Sequence, residues 1–381
     1  MSLWSAQHVA AIADRPQPHV PVYGAQDAAP LDPALSLWDV WPVQLDDGSV
    51  AEVAGGSLWV SLCAPRSDNP DDRHHVARMR LLFRSGDRWQ DCGPLLPSGF
   101  SPGVREWSGS TLLDPRTGRV TLWFTAAGRP GAEAPDFEQY LFQAVGRLDR
   151  SGTLPAMRDW HDLKPSVIND GTYYADLSVH QGVAGRIKGF RDPYWFRDPA
   201  TGRGYLLFTG SKSAAESRSD YDGVIGIASA DDGDGWGPFT LLPAIIDADG
   251  VACELERPHM FVHGGLYYLF WSSQSSVFSP GGPAGPTGLY GMVGPSVFGP
   301  FEPLNETGLV IANPEDEPRQ AYAWHVLPSL EVASFIDFWG LSGRDISTDP
   351  ALKAAQFGGT IAPMAKIGLE ENRSWIVEGR L

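Results

Sequence analysis

Two glutamates lie two residues apart in the segment Glu254-Leu255-Glu256-Arg257-Pro258. In an extended strand, residues i and i+2 point to the same face, so both carboxylates are expected to enter one site. Two carboxylates this close cannot both ionise cheaply, so one should have a raised pKa and hold its proton near neutrality, as a general acid must. A solvent-facing acidic edge strand has the same spacing, but the residues from Arg257 to Phe261 lead into a strand that we expect to be buried.

A third acid, Asp192, follows an arginine in Phe190-Arg191-Asp192-Pro193. Arg191 is expected to keep it ionised, because an opposite charge a few ångströms away lowers the pKa of a carboxyl group. The same Arg-Asp-Pro triplet recurs at Arg197-Asp198-Pro199 and runs directly into Ala200-Thr201-Gly202. The second copy therefore predicts a hairpin turn, and the triplet alone does not identify a site.

A fourth acid, Asp39, stands between two tryptophans in Trp38-Asp39-Val40-Trp41-Pro42. Aromatic walls beside a carboxylate provide a stacking surface for a sugar ring and a poorly solvated site. An aspartate that caps a turn in a tryptophan-rich core has the same pattern, so this motif alone leaves both interpretations open.

Histidines and cysteines give weaker signals. Arg73-His74-His75 could carry metal or base chemistry, but the preceding Asn69-Pro70-Asp71-Asp72 predicts a solvated loop. The three cysteines, Cys63, Cys92 and Cys253, show neither a disulfide framework nor zinc-ligand spacing.

Short strands must position these acids. Thirty-two prolines and 43 glycines punctuate the 381 residues, and no long stretch has a helical period. Turn signals separate seven strand-like runs, which are Ser57–Leu62, Arg78–Phe83, Val120–Phe124, Tyr205–Phe208, Val224–Ala228, Leu266–Trp271 and Leu330–Phe335.

The spacing of five polar or aromatic clusters favours a propeller among all-β folds. Markers within these clusters are separated by 69, 84, 64 and 66 residues, each the length of a four-stranded blade, and the markers are Asp39, Ser108, Asp192, Glu256 and Tyr322. We therefore expect one all-β domain over residues 1–381, a five-bladed β-propeller with a central funnel-shaped active site. Residues 1–37 would form an N-terminal wrap and residues 364–381 a C-terminal closing segment.

Composition excludes several classes of partner. A net charge of -17 argues against nucleic acid and against an anionic membrane surface, whereas a neutral sugar fits it. Residues 1–12 contain no basic segment followed by a long apolar stretch. We expect a cytoplasmic protein, or one exported without a Sec signal peptide.

Taken in order, the motifs resemble the levansucrase family of sucrose-active enzymes, glycoside hydrolase family 68, and look closest to its Gram-negative branch. The resemblance runs from about Leu35 to Pro363. It rests on the segments 38–42, 106–109, 190–193, 256–259, 288–291, 298–305, 320–322 and 358–363.

The resemblance implies a retaining double displacement on sucrose by three acids. Asp39 would be the nucleophile that forms a covalent fructosyl-enzyme, and Glu256 would protonate the departing glucose and then deprotonate the acceptor. Asp192 would hold fructosyl hydroxyls and stabilise the transition state. Retaining chemistry predicts that Asp39 and Glu256 lie about 5–5.5 Å apart.

The resemblance also implies the substrate-binding residues, and no cofactor is required. The matching positions are Trp38, Trp107, Ser108, Arg191, Glu254, Arg257, Gln274 and Tyr322. Some family members bind calcium through an aspartate where this chain has Cys253. A thiol is a poor ligand for so hard a cation, so no metal is predicted there.

Gln274 occupies a position where relatives commonly carry arginine or histidine, and that position helps to bind the acceptor sugar. We therefore expect hydrolysis or transfer to short sugars, with sucrose and small fructosyl acceptors as partners.

Three alternatives remain. The first is a polymer-forming levansucrase. The second is another five-bladed glycosidase: a family 32 invertase, although its opening motif and extra sandwich domain are missing, or an inverting arabinan-type enzyme with a wider carboxylate separation. The third, from another class, is a non-catalytic sugar-binding propeller, which would not need three acids.

Overall fold

The computed structural model describes residues 1–132, 136–183, 185–231 and 237–377, and these residues form an all-β protein. The strands, in chain order, are β1 (Ser2–Leu3), β2 (Leu35–Gln44), β3 (Glu52–Val53), β4 (Gly56–Pro65), β5 (Arg78–Ser85), β6 (Arg88–Pro94), β7 (Arg105–Leu113), β8 (Arg119–Ala127), β9 (Gln139–Asp149), β10 (Ala156–Val167), β11 (Gly182–Val183), β12 (Arg186–Ile187), β13 (Phe190–Arg197), β14 (Gly204–Ser211), β15 (Gly223–Ala230), β16 (Phe239–Asp247), β17 (Glu256–His263), β18 (Leu266–Ser273), β19 (Gly288–Gly294), β20 (Glu302–Pro303), β21 (Leu309–Ala312), β22 (Ala321–Val326), β23 (Glu331–Phe338), β24 (Phe357–Ile361), β25 (Ala365–Glu370) and β26 (Arg373–Ile376).

Helices are short by comparison. They are the α-helices α1 (Ala6–Ala10) and α2 (Pro350–Ala355), and the 3₁₀ helices Ala11–Asp14, Pro70–His75, Ser275–Val277 and Leu304–Glu306. No helix within the described ranges is long and apolar enough to cross a membrane.

The seven strand-like runs of the sequence all lie in strands, apart from Leu330. That residue adopts φ 67° in the turn before β23. Strands such as β14 and β15 are buried along their whole length, which explains why they are continuous apolar runs rather than alternating ones.

The sheets are mostly antiparallel meanders. One sheet has the order β6-β5-β4-β2-β7-β8-β9-β10, in which β2 and β7 pair in parallel and join two meanders. The other large sheets have the orders β13-β14-β15-β16-β1, β17-β18-β19-β20 and β22-β23-β25-β26. Three additional strands pair beside these paths, β3 on β4, β21 on β19 and β24 on β23, and β11 pairs with β12.

Five strands share a feature that positions the site. Each has a register shift against its hairpin partner, and each shift contains or adjoins one of the sequence markers. The shifts lie at Trp38/Val40 in β2, Trp107/Gly109 in β7, Arg191/Tyr194 in β13, Glu256/His259 in β17 and Tyr322/His325 in β22. A shift of this kind interrupts the alternation of side chains and releases a backbone N–H from the ladder.

The two ends of the chain pack onto these sheets. Trp4 is fully buried against Trp271, with ring centroids 5.2 Å apart, and its indole N–H donates to the carbonyl of Thr307 at 2.9 Å. At the other end, β25 and β26 belong to the last sheet. Residues 378–381 of the expected closing segment lie outside the described residues.

Candidate active site

Asp39, Asp192 and Glu256, which are far apart in the sequence, come together at the register shifts of β2, β13 and β17. They are close enough for Asp39 and Glu256 to raise the pKa of Asp192, and for Glu256 to raise that of Asp39. The three predicted catalytic acids therefore form a single cluster.

Asp39 adopts a left-handed backbone, φ 47°, which turns its carboxylate out of the regular strand pattern. Ser108 of β7 donates a hydrogen bond to its Oδ2 at 2.6 Å. Burial raises the pKa of Asp39, while Arg257 and the Ser108 hydrogen bond act in the opposite direction. Ser108 is thus placed to hold the ionised form of Asp39 in a fixed orientation.

Asp192 is also left-handed, with φ 59°, and is 6% exposed. Thr209 donates to its Oδ2 at 3.1 Å, and its own backbone N–H donates to Thr125 Oγ1 at 2.9 Å. Burial raises the pKa of Asp192 to about 6, against the lowering effect of Arg191, whose Nε lies 3.6 Å from Oδ2. Asp192 is therefore held rigidly from two sides.

Arg191 hydrogen-bonds to both glutamates of the Glu254/Glu256 pair. Its Nη2 donates to Glu254 Oε2 at 2.9 Å and to Glu256 Oε1 at 2.7 Å. The side chain is buried, and its other terminal nitrogen, Nη1, has no hydrogen-bond partner among the described residues. A buried charged donor of this kind is costly unless a ligand completes it. Arg191 Nη1 is itself buried, so a substrate oxygen could reach it only if the site rearranged.

The two glutamates of the pair have pKa values that are shifted in opposite directions. Burial and the charge of Glu256 raise the pKa of Glu254, despite Arg191. Burial acts on Glu256 as well, but Arg191 and the hydroxyl of Tyr322, which donates to Glu256 Oε2, outweigh it and lower the pKa. The side chain of Glu254 is 9% exposed and that of Glu256 is 18% exposed. The deeper glutamate therefore holds the proton before a substrate arrives.

Arg257, expected from the sequence to bind substrate, is occupied by the protein itself. Its Nη1 donates to the carbonyl of Ala323 and its Nη2 to that of Val40, each at 2.9 Å. Val40 follows Asp39 directly, so Arg257 braces the backbone beside that carboxylate and also lowers its pKa.

The two tryptophans predicted to form aromatic walls beside Asp39 are both buried, with Trp38 3% and Trp41 1% exposed. Trp107, which the family resemblance assigns to substrate binding, is partly exposed beside Ser108. The Trp38 ring packs edge-on against His74, with centroids 5.8 Å apart, and the guanidinium of Arg73 lies 5.7 Å from it.

The segment around His74 was predicted to be a solvated loop, and that prediction is wrong for Arg73. Residues Pro70–His75 form a 3₁₀ helix, and Arg73 is buried with a 2.9 Å ion pair to Asp337. The Asn69 side chain accepts from Asp71 N and Pro70 opens the helix, a capping pattern that could have indicated order in the sequence.

Gln274 is adjacent in the chain to a residue that contacts the backbone of Glu254. It is half-buried, precedes the 3₁₀ helix Ser275–Val277, and follows Ser273, whose hydroxyl donates to the carbonyl of Glu254 at 2.8 Å. On the other side of Glu254, Cys253 is buried, and this burial raises the pKa of its thiol to about 12. A protonated thiol there offers no ligand to a hard cation.

The cluster combines a carboxylate that accepts from a serine, a second carboxylate that accepts from Thr209, and a glutamate pair that shares an arginine. Acids in such different environments can separate the roles of nucleophile, stabiliser and proton donor.

Comparisons with known proteins agree with this chemistry. The family model described as Levansucrase/Invertase matches residues 2–223 and 213–380. Levansucrase LscA of Pseudomonas savastanoi pv. glycinea is 32% identical over 382 residues, covering 90% of this chain and 86% of that protein. The levansucrase of Zymomonas mobilis subsp. mobilis is 32% identical over 369 residues, covering 90% and 82%.

A solved structure extends the likeness to the fold. Inulosucrase from Halalkalicoccus jeotgali, bound to kestose, superposes with a TM-score of 0.90 and 33% identity, covering 100% of this chain and 97% of that one. The chain belongs to the levansucrase/invertase family, glycoside hydrolase family 68, a family of glycoside hydrolases and fructosyltransferases.

Proposed function

We propose that this enzyme cleaves sucrose and transfers its fructosyl group, mainly to water or to short sugars, through a covalent fructosyl-enzyme. The observation that carries the proposal is the convergence of Asp39, Asp192 and Glu256 around Arg191 in a chain of this family. The names of the relatives, levansucrase and inulosucrase, supply the substrate and the transferred group.

In the proposed first step, Asp39 Oδ1 attacks the anomeric carbon of the fructosyl unit while Ser108 holds Oδ2. The bond to the glucose oxygen breaks, and Glu256 donates its proton to that oxygen. Because Glu256 is ionised in the free enzyme, its proton comes directly from the neighbouring carboxyl of Glu254.

In the second step, Glu256 takes a proton from water or from an acceptor hydroxyl, and that oxygen displaces Asp39. Glu256 then returns the proton to Glu254, which restores the starting state of the pair. Two inversions at one carbon retain its configuration. Asp192, fixed by Thr209 and Thr125, faces the positive charge that develops on the fructosyl ring in both steps.

For the architecture, we propose a five-bladed propeller with the acids in a central funnel. Support comes from the five strands with register shifts at the sequence markers, one for each four-stranded unit. The whole chain would be one catalytic domain.

A sucrose assay tests the function. Wild-type enzyme should release glucose from sucrose, and free fructose close to the glucose released would indicate hydrolysis, whereas a fructose deficit would indicate transfer. NMR of the initial product distinguishes retention from the inversion expected of an arabinan-type site.

The variant Asp39→Asn tests the nucleophile and the sugar-binding alternative together. We expect a loss of turnover of roughly 10⁴-fold or more, with sucrose binding preserved in calorimetry. Full sucrose cleavage by this variant would contradict the mechanism, and a wild-type protein that binds sucrose without turnover would support the binding-module alternative.

A further inference from the structure

Two buried threonines join neighbouring register shifts of the acid cluster. Thr125 lies on β8 and Thr209 on β14, and each has 0% of its surface exposed. Each accepts a backbone N–H from the next strand that contains a shift: Asp192 N donates to Thr125 Oγ1 at 2.9 Å, and Arg257 N donates to Thr209 Oγ1 at 3.1 Å. The threonines thereby satisfy N–H groups that the shifts release from the ladder.

The two hydroxyls differ in what they donate to. Thr125 donates to the backbone carbonyl of Ser108 at 3.2 Å, whereas Thr209 lies 3.1 Å from the carboxylate oxygen Oδ2 of Asp192. A backbone N–H can only donate, so Arg257 N uses Thr209 Oγ1 as an acceptor. The single hydroxyl proton of Thr209 is then directed at Asp192.

We propose that Thr209 is a positioning residue for the reaction, whose hydroxyl fixes Asp192 Oδ2 and couples it to the strand that carries Glu256. This inference rests on the proposed function. Because Thr209 is fully buried opposite Arg191 in the β13–β14 pair, it acts through Asp192 and does not itself touch substrate.

The charges around Asp192 set the direction of the expected effect. Arg191 and Arg257 favour its ionised form, whereas Asp39 and Glu256 oppose it. The hydrogen bond from Thr209 also favours the ionised form of Asp192, because a donor to a carboxylate stabilises its negative charge. Its removal should raise the pKa of Asp192 and move the acidic limb of activity to higher pH.

The experiment compares Thr209→Val, which keeps the shape and loses the hydroxyl, with Thr209→Ser, which restores it. Thr360→Val is the matched control, because that threonine is also buried and its hydroxyl donates to a backbone carbonyl, that of Ala29, at 3.2 Å. The pH dependence of kcat/KM for sucrose is measured for each variant, with rates expressed per folded enzyme from circular dichroism. If Thr209→Val does not fold, the smaller Thr209→Ala replaces it.

We expect Thr209→Val to lower kcat/KM on the order of tenfold, as for loss of a hydrogen bond to a charged group. The acidic limb of its pH profile should move to higher pH, Thr209→Ser should recover both properties, and Thr360→Val should leave the limb in place. An acidic limb at the wild-type pH in Thr209→Val, or an equal shift in Thr360→Val, would overturn the positioning role. Failure of the wild-type enzyme to cleave sucrose would instead refute the proposed function.

Discussion

Glu254 and Glu256 accept hydrogen bonds from the same nitrogen, Nη2 of Arg191, at 2.9 and 2.7 Å. The sequence predicts that one glutamate of this pair holds a proton, and the structure assigns the raised pKa to Glu254 rather than to Glu256. In the proposed mechanism, the acid that protonates the leaving group would therefore obtain its proton from its neighbour.

The variant Glu254→Gln tests this dependence. It leaves Glu256 as the only acid of the pair, with a pKa lowered by Arg191 and Tyr322 against the effect of burial. A general acid must be protonated, so activity is lost as pH rises through its pKa. We expect the basic limb of kcat/KM to move to lower pH and activity at pH 7 to fall about tenfold or more. A nitrophenyl β-fructofuranoside, whose leaving group needs no proton, is the control; an unmoved basic limb with sucrose would contradict the prediction.

The variant Ser108→Ala removes the hydrogen bond to Asp39. Burial already raises the pKa of Asp39, and Ser108 opposes that rise, so its loss should raise the pKa further. A nucleophile must be ionised, and activity is therefore lost as pH falls through this pKa. We expect an acidic limb at higher pH and roughly tenfold lower kcat/KM. Ser110→Ala is the control, because Ser110 lies on the same strand and, among the described residues, accepts from the backbone N–H of Trp195 at 2.9 Å and from no other group. A similar shift in this variant would exclude a specific role for Ser108.

The variant Gln274→Arg tests the acceptor. Gln274 lies one residue after Ser273, which bonds the carbonyl of Glu254. The family resemblance implies that this position helps to bind the acceptor sugar. We expect transfer products to lengthen and free fructose to fall relative to glucose, as measured by chromatography. Ser276→Arg places the same charge two residues further, at an exposed position of the same 3₁₀ helix. Equal changes in both variants would assign the effect to charge alone.

A stacked histidine pair predicts acid sensitivity of the fold. His259 and His325 are buried with ring centroids 4.3 Å apart, and the backbone N–H of Val326 donates to His259 Nε2 at 2.9 Å. Burial lowers the pKa of His259 to about 3 and that of His325 well below 6.5. The unfolded chain then binds more protons, so stability falls as pH drops below 6.5, by about 1.4 kcal/mol per pH unit for each histidine.

Unfolding measured between pH 7 and pH 4 checks this prediction. His325→Phe keeps a ring against His259 and should reduce the pH dependence by the share of one histidine. His19→Ala, at an exposed position, should leave it unchanged. A wild-type slope in His325→Phe would show that carboxylates alone cause the acid sensitivity.

Local patterns in the sequence predicted many of the strands and turns of this structure. The second Arg-Asp-Pro triplet is the hairpin turn that was predicted, in which Asp198 accepts from Ala200 N at 3.0 Å and from the Thr201 hydroxyl at 2.6 Å. The five markers fall at register shifts because those positions need polar or left-handed residues, and such residues interrupt the apolar runs visibly.

Contacts across distant strands could not be predicted in the same way. The residues next to Arg257 in the sequence do not indicate that its guanidinium bonds the carbonyls of Val40 in β2 and Ala323 in β22, because these two strands belong to different sheets and meet only in the folded protein. The preference of Glu254 for the proton depends likewise on which glutamate lies deeper against Arg191. The contacts of Arg257 and the raised pKa of Glu254 both depend on packing between strands that are distant in the sequence, and a local sequence pattern does not predict such packing.

The bracing by Arg257 bears on how the enzyme is made in the cell. One side chain bonds Val40 and Ala323, which lie 217 and 66 positions away in the chain. Contacts of such long sequence separation form late in folding, because the intervening loops must close first. The support behind Asp39 therefore cannot assemble on a nascent chain until the ribosome has released residue 323, and fragments that end before it should accumulate without activity.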